Sequence, residues 1–144
     1  MHIDTVPTRE MRSFSLPKIL IVEDDDAIAD VLKQLFQMSG YSCMTLRSVL
    51  DICQIMREYR PDLVIVDYLL PEVNGGELCA QIKRNEETAT VPVIICSAYS
   101  KVLMSLGTYG SDAFISKPFD LHQLTQTIER LLGLCKLQKR LKSS

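Results

Sequence analysis

The segment Asp62-Leu-Val-Ile-Val-Asp-Tyr-Leu-Leu-Pro-Glu-Val-Asn-Gly75 decides the fold. Four apolar residues, Leu63 to Val66, run without a polar interruption, and an acid, Asp67, closes the run. An unbroken apolar strand of this length fits a sheet covered on both faces, where alternation is not required. After Asp67 the chain turns through Pro71. Asn74, with Glu77 three positions on, then has the spacing of a helix-capping pair.

Upstream, the pattern repeats. Ile19–Val22 is a second apolar strand, closed by Glu23 and Asp24. Ile28, Val31, Leu32, Leu35 and Phe36 recur at helical spacing, and Gly40 stands where a helix C′ glycine belongs. Tyr41–Leu46 partly alternates, as an edge strand does. Ser48 as cap, with the acid Asp51 in the first turn, predicts a further helix that Pro61 ends.

Downstream, Val93–Cys96 and Ala113–Ser116 read as two more strands, followed by Ser97 and Lys117 respectively. Asp120 with Gln123 caps a last helix carrying Leu121, Leu124, Ile128, Leu131 and Leu132. Five strand-then-helix units with short connections predict an α/β, flavodoxin-like (βα)5 fold. Its parallel sheet has order 2-1-3-4-5, with helices on both faces. The organisation expected is a flexible extension over 1–16, one domain over 17–134, and a basic tail over 135–144.

Composition narrows the function. The chain has 144 residues, 47% hydrophobic and 24% charged, with net charge −2, so no general basic field argues for nucleic acid. Lys136, Lys139, Arg140 and Lys142 make the tail basic, but four charges give a weak footprint, and direct nucleic-acid binding is not expected. Membrane spans and a secretory leader are not expected either. Five scattered cysteines lack zinc or disulfide spacing and suit the reducing cytoplasm.

In such sheets, ligands bind beyond the carboxyl ends of the strands, and Glu23, Asp24, Asp67, Ser97 and Lys117 all fall there. Singly, each has an ordinary explanation as a turn, cap or loop residue; their joint placement does not. Crowded carboxylates repel unless a cation sits among them, and hard oxygen ligands suit Mg²⁺. As a site, they divide the work of phosphoryl transfer. Asp67 is the carboxylate nucleophile, Asp24 and Asp67 hold Mg²⁺, and Glu23 orients its waters. Lys117 and Ser97 bind phosphoryl oxygens. Gly75 and Gly76 make no phosphate-cradling signature, so nucleotide binding is unsupported.

The stretches Lys18-Ile-Leu-Ile-Val-Glu-Asp-Asp25, the segment quoted first, Val93-Ile-Ile-Cys-Ser-Ala98 and Asp112-Ala-Phe-Ile-Ser-Lys-Pro-Phe119 resemble bacterial two-component response regulator receiver domains. The resemblance covers about residues 17–134. It implies that Asp67 is the phosphoacceptor, Glu23 and Asp24 the acidic pair, and Lys117 the family's lysine. Ser97 becomes the hydroxyl switch residue and Phe114 the aromatic one. It further implies that the backbone carbonyl of Leu69 is a Mg²⁺ ligand and that the Lys117–Pro118 peptide is cis. Asp25 is left outside the core site.

The implied donor is a sensor histidine kinase or phosphotransfer protein. The implied output is a downstream protein or a homodimer, engaged through the fourth helix, fifth strand and fifth helix. Such a domain is not an enzyme beyond its own phosphotransfer and dephosphorylation. The spacing of Ser97 and Lys117 is slightly short for the family, so the fourth helix is expected to be truncated or irregular, with Gly107 and Tyr109-Gly110 weakening it. Leu69 and Tyr99, bulky and unable to orient water, imply slow self-dephosphorylation.

Two rivals remain. An aspartyl-phosphate phosphohydrolase of haloacid dehalogenase type wants Asp-x-Asp after its first strand, and Asp24-Asp25-Asp26 and Asp67-Tyr68-Leu69 sit in the wrong context. A flavin binder wants a hydroxyl- and glycine-rich loop where this chain puts acids.

Overall fold

The structure, a computed structural model, describes residues 15–143, without the side chains of Ser100, Leu106 and residues 134–143. The extension expected over 1–16 therefore lies almost wholly outside the described residues. Strands and helices alternate: β1 (Lys18–Val22), α1 (Asp26–Met38), β2 (Ser42–Leu46), α2 (Ile52–Tyr59), β3 (Leu63–Asp67), α3 (Gly75–Arg84), β4 (Val93–Ser97), α4 (Ser100–Leu106), β5 (Ala113–Ser116) and α5 (Leu121–Ser143). The five strands pair in parallel in the order β2-β1-β3-β4-β5, the order predicted.

Two apolar layers explain the unbroken hydrophobic runs. Ile19, Ile21, Leu63 and Ile65 face Leu32 and Phe36 of α1 and Leu124, Ile128 and Leu131 of α5. Their neighbours Leu20, Val22, Val64 and Val66 point the other way, onto Ile52 and Met56 of α2 and Leu78, Cys79 and Ile82 of α3. Successive strand residues face opposite sides, so a strand covered twice must be apolar at every position. Each such side chain removed from water contributes about 1.5–3 kcal/mol.

Most helix ends follow the capping signals. Glu77 N–H donates to Asn74 Oδ1 at 2.8 Å, and Gln123 N–H to Asp120 Oδ1 at 3.0 Å. Gly40, at φ 90°, closes α1: its N–H donates to Gln37 O and that of Tyr41 to Phe36 O, the paired bonds of a Schellman motif. One cap differs from expectation. Asp51, not Ser48, is the N-cap of α2, accepting from Gln54 N–H at 3.1 Å. Either residue is a competent cap, and α2 starts only at Ile52, whose side chain is fully buried. The fourth helix is short, seven residues, and Gly107 at φ 134° caps it. The predicted basic tail continues α5 as far as Ser143.

Candidate functional site

The topology places the site. β1 and β3 are neighbours, but the connection from β1 leads first outward to β2, so a crevice opens at their carboxyl ends. Glu23 directly follows β1, Asp67 ends β3, Ser97 ends β4 and Lys117 directly follows β5. Strand pairing thus assembles four groups that the sequence spreads over 94 positions.

Lys117 stands at the centre. Its Nζ donates to Glu23 Oε1 at 2.6 Å and lies 2.8 Å from Asp67 Oδ1. Glu23 and Asp67 are 3% and 6% exposed, so this is a buried triad rather than a surface ion pair. The other Glu23 oxygen accepts from Asp25 N–H at 3.3 Å. Ligand oxygens of Glu23, Asp24 and Asp67 all lie within 4.8 Å of one another, with Asp24 the most open of the three. The Leu69 backbone lies near the Asp67 carboxylate and lowers its pKa, against burial. Three hard oxygen donors in reach of one point fit a Mg²⁺ ion, with room left for water.

The electrostatics are those of crowded acids. Burial pushes the Asp67 carboxyl above its ordinary value, with Asp24 adding to the effect, while the hydrogen bond from Lys117 opposes it. Glu23 is likewise raised by burial, against the pull of Lys117. Burial alone would lower Lys117, but its bonds to Asp67 and Glu23 outweigh this and hold it charged. One ammonium for two buried carboxylates, with Asp24 beside them, leaves the cluster short of positive charge.

The remaining predicted residues fall as follows. Ser97 is buried, and its Oγ accepts from Tyr99 N–H at 2.9 Å. Phe114 pairs with Ile95 in the sheet register and is half-buried against the α2–α3 layer. The Lys117–Pro118 peptide is cis. Asp25 is the N-cap of α1, accepting from the N–H groups of Ala27 and Ile28, which accounts for its place outside the cluster. The side chains of Leu69 and Tyr99 are 59% and 63% exposed.

Several contributors escaped the sequence reading. A Cβ on Gly75 would collide with the carbonyl oxygen of Asp67, so only glycine lets α3 begin against the end of β3. Tyr68 and Tyr109 join hydroxyls at 3.1 Å. Lys83 ties α3 to Asp112 at 2.8 Å. The Asn-Gly-Gly run at 74–76 was a legible sign of close backbone approach; the tyrosine pair, 41 positions apart, left none.

Comparison with known proteins gives the family and agrees with the fold. Residues 19–129 match the family described as response regulator receiver domain, and the chain belongs to that family. It is 34% identical over 121 residues to the polar-differentiation response regulator DivK of Brucella anthropi, covering 82% of this chain and 98% of DivK. It is 30% identical over 119 residues to the DNA-binding dual master transcriptional regulator RpaA of Synechocystis, covering 81% of this chain and 49% of RpaA. The chain therefore spans about half of the second relative.

Among solved structures, the signal receiver domain of a Syntrophus aciditrophicus signal transduction histidine kinase superposes with TM-score 0.75 at 36% identity, over 81% of this chain and 90% of that one. The response regulator TrrA of Thermotoga maritima, solved in complex with Mg²⁺ and BeF, gives 0.72 at 26%, over 81% and 99%. The family match supports the receiver reading over the phosphohydrolase one.

Proposed function

We propose that Asp67 accepts a phosphoryl group from a phosphohistidine on a sensor histidine kinase or phosphotransfer protein. The observation that carries this reading is the Lys117 ammonium bridging two buried carboxylates, Glu23 and Asp67, with Asp24 alongside. An Asp67 oxygen attacks phosphorus, the P–N bond breaks, and the donor imidazole leaves with the electron pair and takes up a proton. The transfer is mostly positioning and charge neutralisation. Glu23, Asp24, Asp67 and the Leu69 carbonyl would hold Mg²⁺, which neutralises phosphoryl oxygens when bound. Lys117 meets a further oxygen. Ser97 leaves the Tyr99 amide to hydrogen-bond another, and Phe114 packs deeper into the space vacated.

The apolar groove of Ala27, Ile28, Val31, Leu32 and Phe119, about 210 Å³, receives the donor. Lys117 Nζ lies 5.9 Å from the Phe119 ring centroid, so this groove adjoins the phosphorylation site, and Val31 is 54% exposed on α1. A helix presenting the donor histidine fits such a face. The α4–β5–α5 face carries the output, to a downstream protein or a second copy of the chain.

The chain acts on no foreign substrate; it catalyses only its own phosphotransfer and dephosphorylation. Its proposed place is the cytoplasm, in keeping with the free thiols of Cys43, Cys53, Cys79 and Cys96. Among the described residues no helix is long and apolar enough to cross a membrane. The deciding experiment is incubation with acetyl phosphate and Mg²⁺ followed by intact mass. One phosphoryl group should be gained, and none by Asp67→Asn. Turnover of small phosphate esters would favour a phosphohydrolase instead.

A further inference from the structure

Tyr68 directly follows Asp67, and each of its polar groups is engaged. Its N–H donates to Cys96 O at 2.9 Å, and its carbonyl accepts from Leu70 N–H at 3.2 Å and Gly75 N–H at 2.8 Å. Its hydroxyl lies 3.1 Å from that of Tyr109. The β3–α3 loop, which begins at Asp67 and brings the Leu69 backbone near its carboxylate, is thus organised around Tyr68.

Tyr109 comes from the α4–β5 connection, between Leu106 and Ala113. There Tyr109 and Gly110 have φ of 57° and 80°, and Ser111 N–H donates to Thr108 O at 2.9 Å. A left-handed backbone is unfavourable for so large a residue, so its surroundings must hold it. They do. Its ring fits where Gly76 has no side chain: a Cβ there would come within 2.9 Å of three ring atoms. The two tyrosine rings lie 5.9 Å apart at 49°. A second tie, Lys83 to Asp112 at 2.8 Å, fastens the far end of the same connection to α3 without touching Tyr68.

We propose that Tyr109 is a positioning residue for the phosphorylation of Asp67, acting through the Tyr68 hydroxyl to set the β3–α3 loop. The inference rests on Asp67 being the acceptor. Phe114 packs in the same apolar layer as Tyr68 and Tyr109, so the tie meets the output side of the domain as well. A protein that displaces the α4–β5 connection therefore changes the reactivity of Asp67; for equilibrium binding the coupling is reciprocal, so phosphorylation changes the affinity for such a protein.

The test uses the full chain with acetyl phosphate and Mg²⁺, following the rate of mass gain at several acetyl phosphate concentrations. Tyr68→Phe and Tyr109→Phe keep the rings and remove one hydroxyl each. Each should lower the maximal rate by about three- to tenfold, the worth of one hydrogen bond, with half-saturation unchanged. The double variant should be no slower than either single one. Lys83→Met loosens the other tie and should lower the melting temperature while leaving the rate intact. Single variants at the wild-type rate, effects that multiply in the double variant, or a Lys83→Met rate as low as that of Tyr109→Phe would each overturn the proposal. A wild-type chain that gains no mass removes the Asp67 reading itself, and this inference with it.

Discussion

Lys117 reaches Glu23 at 2.6 Å across 94 positions of the chain, and the same ammonium stands 2.8 Å from Asp67. The pairing exists because β1, β3 and β5 end at the same edge of one parallel sheet. One cation therefore answers for two carboxylates in a place with little water.

Removing that cation should be costly. Lys117→Met leaves two buried acids uncompensated, and breaking a buried pair in this way costs about 3–5 kcal/mol. Urea unfolding should show the loss without metal and a partial recovery with Mg²⁺. Unchanged stability in the absence of metal would mean that the acids find other compensation.

Acidification should weaken Mg²⁺ binding early. Burial raises the carboxyls of Asp67 and Glu23, against the opposing pull of Lys117, so they begin to protonate above their ordinary values of 3.8 and 4.5. A carboxyl with a higher pKa folded than unfolded holds its proton more tightly when folded. Its contribution to metal-free stability thus grows as pH falls through the raised pKa and is lost as pH rises. Magnesium needs the ionised forms, so its affinity runs the opposite way. Calorimetric titrations from neutral pH downward check the sign.

Gly75→Ala should destabilise the fold by about 1–3 kcal/mol, the usual range for an overpacked site. The new methyl group would press on the Asp67 carbonyl, so phosphorylation should slow as well. Thermal melts and acetyl phosphate labelling, read together, test both effects.

Val31→Asp, on the exposed side of the groove beside Phe119, should slow phosphotransfer from a phosphorylated histidine donor by tenfold or more, roughly the effect of losing a well-packed interface residue. Labelling by acetyl phosphate should not change. Equal loss with both donors would place the donor elsewhere.

The phosphorylated form should persist for many minutes. Leu69 and Tyr99 stand exposed, and neither side chain orients water as an amide or carboxylate does. Leu69→Asn should shorten the lifetime, measured as decay of the added mass. A wild-type lifetime of seconds would refute this.

Much of the fold could be read in advance, because the three central strands β1, β3 and β4 are covered on both faces and are almost wholly apolar. The caps at Asn74 and Asp120 and the Gly40 terminus were legible for a similar local reason: each satisfies backbone groups within a few residues. The cap of α2 was not. Ser48 and Asp51 are both competent, and the choice falls to where Ile52 enters the core. At the site, the acids, lysine and serine were legible as strand-end residues. The Tyr68–Tyr109 contact was not, since it depends on a turn whose left-handed Tyr109 carries no periodic signal.

The absent side chain at Gly75 has one more consequence. With α3 set directly on the Asp67 carbonyl, and Tyr68 N–H bonded to Cys96 O, the main chain around the acceptor is fixed like a bench. Under the proposed phosphorylation of Asp67, the β4–β5 side is the expected place of adjustment, since its seven-residue helix ends at a glycine. Tyr109, seated against Gly76 and hydroxyl to hydroxyl with Tyr68, joins that short-helix side to the β3–α3 loop.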